Sequence, residues 1–191
     1  MKKISLIILF LILNACQNNL PIIHKFQNTN YNLITSSGKT VNFPNAYRGK
    51  IIVLAFIFTN CPDICPLTTN NMRLIQEKCK AEEIKNVQFV AISFDPQHDT
   101  PEVLKDYIRI RNFDTINWEF LTGNENVISN LLKETDVFAI PSDTTIVAGK
   151  EKVNFIHTDR IMLIDQDLQI RKKYPGSTII IDEIVNDINK L

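Results

Sequence analysis

Ten consecutive residues, KIIVLAFIFT (Lys50 to Thr59), carry no charge after the first and are dominated by apolar and β-branched side chains. A strand that faces water on one side alternates polar and apolar positions; a run without alternation reads as a strand buried on both faces. Such a strand needs a packed layer above it and another below. A second run of the same kind, VQFVAISF (Val87 to Phe94), repeats the demand. Together they exclude an all-helical fold and point to helices covering both faces of a sheet.

The remaining segments supply those helices and further strands. YNLITSSGKTVNF reads as a hairpin turning at Ser36-Ser37-Gly38. After the first buried strand, Leu67, Leu74, Ile75 and Cys79 are expected on one face of an amphipathic helix. TPEVLKDYIRIR has Thr100 to cap a helix and Pro101 at its first position. ENVISNLLKET reads as a helix, KVNFIHTDRIMLID and QIRKKY as strands, and TIIIDEIVNDINKL as a closing amphipathic helix. This order predicts an α/β fold, a thioredoxin-like sandwich with a central mixed sheet flanked by helices. The single Trp118 is expected in the core beside a strand, with fluorescence as a use for it.

The first fifteen residues stand apart from that domain. Lys2 and Lys3 precede ISLIILFLIL, an apolar core of about ten residues, short of the ~20 that a spanning helix needs. LNAC follows, ending at Cys16, and resembles a bacterial lipobox, although Asn14 is not the commonest residue there. The resemblance implies cleavage before Cys16 and lipid attachment to it; an ordinary signal peptide with an incidental cysteine is the alternative. The expected organisation is a lipoprotein signal peptide over 1–15, a tether over 16–30 and the domain over 31–191. His24 falls in the tether and is expected to be solvated and idle. Such a chain would be membrane-anchored and face the periplasm or another extracytoplasmic space, where disulfides are permitted.

Charge and composition remove other classes. Twenty-one basic residues balance 21 acidic ones with no basic block, so nothing suggests a nucleic-acid partner. Five glycines without a clustered Gly-x-Gly leave no nucleotide-binding loop.

Chemistry concentrates in FTNCPDICP. Cys61 and Cys65 lie four apart between prolines 62 and 66, and Pro66 would clash with the carbonyl four residues earlier inside a regular helix. A loop or distorted first turn is therefore expected over Cys61 to Cys65, with regular helix from about Pro66. Both sulfurs would then sit near a helix N-terminus, where free amides and the dipole favour thiolate. Thiolates serve metal binding and disulfide exchange alike, and a plain structural disulfide explains the pair too. Three intervening residues differ from the Cys-x-x-Cys of thioredoxin-type oxidoreductases, and no second pair supplies the four ligands of structural zinc. Two thiolates and an imidazole would suit copper, since sulfur selects Cu(I) and imidazole also accepts Cu(II).

Four blocks in order, FIFTNCPDICP, ISFDPQHDTPEVLKDY, WEFLTG and IHTDRIMLID, resemble the Sco/SenC family of copper proteins over roughly Leu33 to Ile188. The resemblance implies a thioredoxin-like fold and a metallochaperone role in assembling the dinuclear copper centre of cytochrome c oxidase. It implies copper, as Cu(I) and Cu(II), on Cys61, Cys65 and His157. The partners it implies are the oxidase subunit that bears that copper, and a copper donor or thiol reductant. Residues alone do not choose His157 over His98. A thiol–disulfide reductase working through the Cys61/Cys65 dithiol is the rival function. Asp95 and Asp99 in DPQHDTP follow a strand end, so a place beside the metal competes with turn and capping roles. Asp63 reads as a solvated loop carboxylate, and Cys79 as a small buried hydrophobe too far along its helix to join the pair.

Overall fold

The computed structural model describes residues 20–147 and 150–191. The expected signal peptide and the lipidation residue Cys16 lie outside the described residues. In chain order the elements are β1 (His24–Lys25), β2 (Asn30–Thr35), β3 (Thr40–Pro44), β4 (Ile51–Ile57), α1 (Ile64–Ala81), β5 (Val87–Ser93) and α2 (Pro101–Arg111). Then follow β6 (Trp118–Gly123), α3 (Glu125–Glu134), β7 (Ala139–Val147), β8 (Lys150–His157), β9 (Ile161–Ile164), β10 (Gln169–Tyr174) and α4 (Ile181–Ile188).

Eight strands form one mixed sheet in the order β1-β10-β9-β4-β5-β6-β2-β3. β4, β5 and β6 run parallel, joined by helical crossovers, and the remaining pairs are antiparallel. Every residue of β4 and of β5 is buried, as their unbroken apolar runs require. Each fully buried Val, Leu, Ile or Phe contributes about 1.5–3 kcal/mol relative to exposure, so these two strands anchor the domain. The parallel strands end together, and the functional cysteines follow directly from the C-terminal end of β4.

Helix α1 starts at Ile64, two residues before the expected boundary, with Pro66 inside its first turn. The first amides of a helix have no intrahelical partner, so the missing N–H of Pro66 removes nothing, and the carbonyl four residues earlier lies outside the helix. Its buried stripe runs through Cys65, Thr68, Thr69, Met72, Ile75, Gln76 and Cys79. Leu67, expected on that stripe, is 49% exposed. Two residues from Cys65 is some 200° of helical rotation, so burying Cys65 turns Leu67 outward. α2 begins as its sequence predicts: Thr100 accepts the amide of Val103, and the helix ends at left-handed Asn112.

Two features differ from expectation. β7 and β8 form a separate two-stranded sheet, and β7 has no strand-like pattern in sequence. His24 is not idle, because β1 pairs with β10 and the His24 ring bonds to Glu134 at 2.7 Å. The segment around it is docked along the sheet from Leu20, whose carbonyl accepts the Arg171 guanidinium. Trp118 is buried on β6, stacked against Phe120, but it sits opposite Phe89 near the start of the parallel strands, away from the cysteine end.

Candidate metal centre

Cys61 leaves the end of β4 and Cys65 lies in the first turn of α1. The Cys65 amide donates to Cys61 Sγ at 3.4 Å. Asp63, at the N-cap position, makes no side-chain cap bond, so the sulfur takes the role a capping oxygen usually fills. His157 ends β8, and its Nε2 is 3.9 Å from Cys65 Sγ. Its Nδ1 lies 3.2 Å from the Thr158 carbonyl, a contact that leaves Nε2 facing the sulfurs when Nδ1 carries the proton. The donor atoms of Cys61, Cys65 and His157 all fall within 4.8 Å of one another. Among the described residues this is the one cluster of three or more potential ligands.

The pocket is apolar on one side. Phe94 and Phe58 pack against the imidazole with ring centroids at 5.1 and 5.9 Å from it, and Phe155 packs on both of them. Pro62, Asp63, Ile64, Asn154 and Ile156 continue the lining toward solvent. Cys65 is fully buried, while Cys61 borders the opening.

Burial and hydrogen bonding divide the two thiols. The Cys65 thiol donating to its sulfur holds Cys61 well below the ordinary thiol range against the cost of burial, with help from His157 and the amides of Cys65 and Asp63. The Cys61 sulfur and burial push Cys65 the other way, far up. Burial works against a charged His157, yet the Cys61 thiolate and the Thr158 carbonyl raise it overall. Cys61 is thus the thiol that favours the charged form and Cys65 the one that keeps its proton, a proton that a soft cation between the sulfurs can replace.

Asp99 is near the cysteines but not in the cluster. Fully buried, its carboxylate accepts the Thr59 amide at 3.0 Å, the Thr59 hydroxyl at 2.5 Å and the Ser93 hydroxyl at 2.5 Å. It ties the chain two residues before Cys61 to the end of β5. Asp95 pairs with the His98 ring at 2.9 Å and its backbone carbonyl accepts the amides of His98 and Asp99 in the turn before α2, so His98 is engaged there and is not among the clustered donors. Cys79 is buried far along α1, its thiol pushed up to about 11 by burial. All three described cysteines are free thiols.

Sequence reading missed Asp159 and the aromatic wall. Asp159 follows His157 by two residues, and nothing local marks it; its partners, Thr68 and Ser177, are 91 and 18 residues away.

A parallel-centred sheet with a dithiol after its first core strand and an imidazole brought over it defines a thioredoxin-like protein with a sulfur–nitrogen cluster that could hold a metal ion. The SCO1/SenC family profile matches residues 23–191, and the chain belongs to that family. The SCO1 protein homolog of Bacillus subtilis is 31% identical over 194 aligned positions, covering 98% of this chain and 94% of that one. A SCO1/SenC family lipoprotein from Bacillus anthracis superposes with a TM-score of 0.75 at 32% identity, covering 87% of this chain and 95% of the other. ScoI of Bradyrhizobium japonicum, solved with copper bound, superposes with a TM-score of 0.71 at 25% identity over 84% of this chain and 96% of its own. Members of the Sco family are described as cytochrome c oxidase assembly proteins.

Proposed function

We propose that this protein is a copper metallochaperone that carries copper to the dinuclear centre of a cytochrome c oxidase. The observation that carries the reading is the convergence of two sulfurs and one imidazole nitrogen within 4.8 Å at an open cleft. Two thiolates hold Cu(I) well, and the imidazole adds a ligand that Cu(II) favours. Copper is cargo here, so the site must bind and also release. The residues fit it: Cys61 is already a thiolate, Cys65 gives up its proton to a cation, and His157 presents Nε2 from the far side.

Cys16 lipidation would hold the domain at the outer face of the membrane, within reach of the oxidase subunit that receives the metal. The lipoprotein nature of the Bacillus anthracis relative supports this. Among the described residues no helix is long and apolar enough to cross a membrane.

Copper titration of the reduced fragment 20–191 tests the reading: one equivalent in each oxidation state is expected, and no binding overturns it. His157→Ala separates delivery from dithiol chemistry, because it impairs the metal site and leaves both thiols free for exchange. In a strain lacking the protein and grown with limiting copper, this variant should fail to restore oxidase activity. Full rescue would mean that the Cys61/Cys65 dithiol suffices, as a thiol–disulfide reductase requires.

A further inference from the structure

His157 reaches the thiols from an element that has little hold on the domain. β7 and β8 pack chiefly on each other, outside the main sheet. Their outward side chains Ile140 and Ile156 stand directly opposite one another, 57% and 62% exposed. The hairpin's inner face meets the core through Phe155 and His157 on Phe58 and Phe94. Aromatic contacts of this kind permit sliding, so the position of the imidazole needs another fixed point.

Two residues on, the chain is clamped. Asp159 Oδ1 accepts the Thr68 hydroxyl of α1 at 3.0 Å, and Oδ2 accepts the Ser177 amide and hydroxyl at 2.8 and 2.6 Å. Asn71, also on α1, donates to the Gly176 carbonyl at 2.8 Å, which closes the triangle between helix, turn and 176–177 loop. Gly176 is the close approach that makes this joint possible: a Cβ there would stand 2.2 Å from Asp159 Oδ1 and 2.8 Å from Thr68 Oγ1. Thr68 lies one turn of α1 beyond Cys65 on the same buried stripe. Apart from the contact of Cys65 with His157 itself, the polar ties of this turn to α1 among the described residues run through Asp159.

We infer that Asp159 is a positioning residue: by clamping the turn behind His157 to the helix that carries Cys65, it sets the imidazole over the two thiols. This rests on the copper reading for its purpose but not for its test. The role is geometric, so Asn can fill it. In Asp159→Asn the amide oxygen keeps the Ser177 donors, while the NH₂ donates to Thr68 Oγ1, whose own proton turns to the Ile64 carbonyl already 3.1 Å away. Ala removes every tie. Gly176→Ala forces the same joint apart from the other side.

The first measurement needs no metal. Diethylpyrocarbonate modifies exposed imidazole nitrogen, and peptide mass spectrometry resolves His157 from His24 and His98. In the metal-free, folded protein His157 should react about tenfold faster in Asp159→Ala and Gly176→Ala than in wild type or Asp159→Asn, in keeping with the ~10–100-fold effects usual for groups that orient a ligand. Thr68→Val, which keeps the helix packed and removes one bond, should fall between and remains informative if the harsher variants do not fold. With Cu(II), Asp159→Ala should bind roughly 10–100-fold more weakly and lose the imidazole-nitrogen splitting from its electron paramagnetic resonance spectrum. In a His157→Ala background the same change should cost nothing further. Wild-type reactivity of His157 in both Asp159→Ala and Thr68→Val would overturn the inference. So would Asp159→Asn behaving like Asp159→Ala, or an equal copper loss with and without His157. If wild type binds no copper, the functional reading falls while the carbethoxylation rates still decide the clamp.

Discussion

The two halves of the candidate metal centre are built on opposite terms. Cys61 and Cys65 sit where a fully buried strand enters a long helix, and Asp99 fastens the connection with three hydrogen bonds. His157 sits at the end of a hairpin that stands outside the main sheet and exposes Ile140, Ile146 and Ile156. Local stability follows buried apolar contact, so the sulfur half should open only with the global fold, whereas the hairpin is less firmly held and the imidazole depends on the Asp159 clamp behind it. On the copper reading, this division would let the thiols stay in place for the metal while loading or release at the imidazole leaves the core undisturbed.

Removing a thiol should have the largest consequence. Cys61→Ser or Cys65→Ser should weaken Cu(I) binding at least about a thousandfold in chelator competition, because a soft ligand is replaced by a hard hydroxyl, whereas Cys79→Ser should match wild type. The sulfur half also has a pH signature. Cys61 is held as thiolate far below the usual thiol range, so its alkylation rate by iodoacetamide should change less than about twofold between pH 5 and 8, while an ordinary thiol of pKa ≈ 8.5 accelerates about tenfold per unit. A rate that climbs with pH would show that Cys65 does not prepare its neighbour. His157→Ala should lower Cu(II) affinity about a hundredfold and Cu(I) affinity by no more than about tenfold. Equal losses in both oxidation states would erase the contrast between the halves.

Stability should divide the same way. Asp99→Ala leaves the Thr59 amide, the half-buried Thr59 hydroxyl and the buried Ser93 hydroxyl without their acceptor and should cost about 2–4 kcal/mol in urea unfolding. The paired change Ile140→Ser and Ile156→Ser on the hairpin should stay within about 0.5 kcal/mol, as for surface positions generally. A cost there as large as that of Asp99→Ala would mean the hairpin belongs to the cooperative core.

What the sequence made legible follows the same division. β4, β5, the β2–β3 hairpin and α2 are written in local chemistry: β-branched runs, a Ser-Ser-Gly turn whose Gly38 takes φ 81°, and a Thr cap followed by proline. The cysteine pair was legible for that reason as a turn entering a helix, although the helix begins at Ile64 and only Cys61, not both thiols, is drawn toward thiolate. β7 was not, because in AIPSDTTIV Ala139 meets the core but the residues from Ile140 to Ile146 are exposed, so no buried alternation marks it. His157 was selected over His98 by family resemblance alone; the 92-residue separation from Cys65 is closed by the folding of the hairpin over the thiols and leaves no local trace. Leu67 was misplaced because apolar residues fit two helical phases, and the buried Cys65 and Thr68 decided between them.

β1 is only two residues long, yet its position on the outer side of β10 changes how the molecule meets its neighbours. An uncovered edge strand offers a row of free amides and carbonyls to any other chain in extended form. Here the Ile23 amide and the register of His24 and Lys25 occupy the start of that row, at Ile170 and Gln169. Farther along, Lys172 and Lys173 stand on β10 with their charges engaged by Glu183, Asp187 and Asp136. Residues 23–25 thus cover the start of the β10 edge, and truncation past Lys25 would leave the amides and carbonyls at Gln169 and Ile170 open to another extended chain.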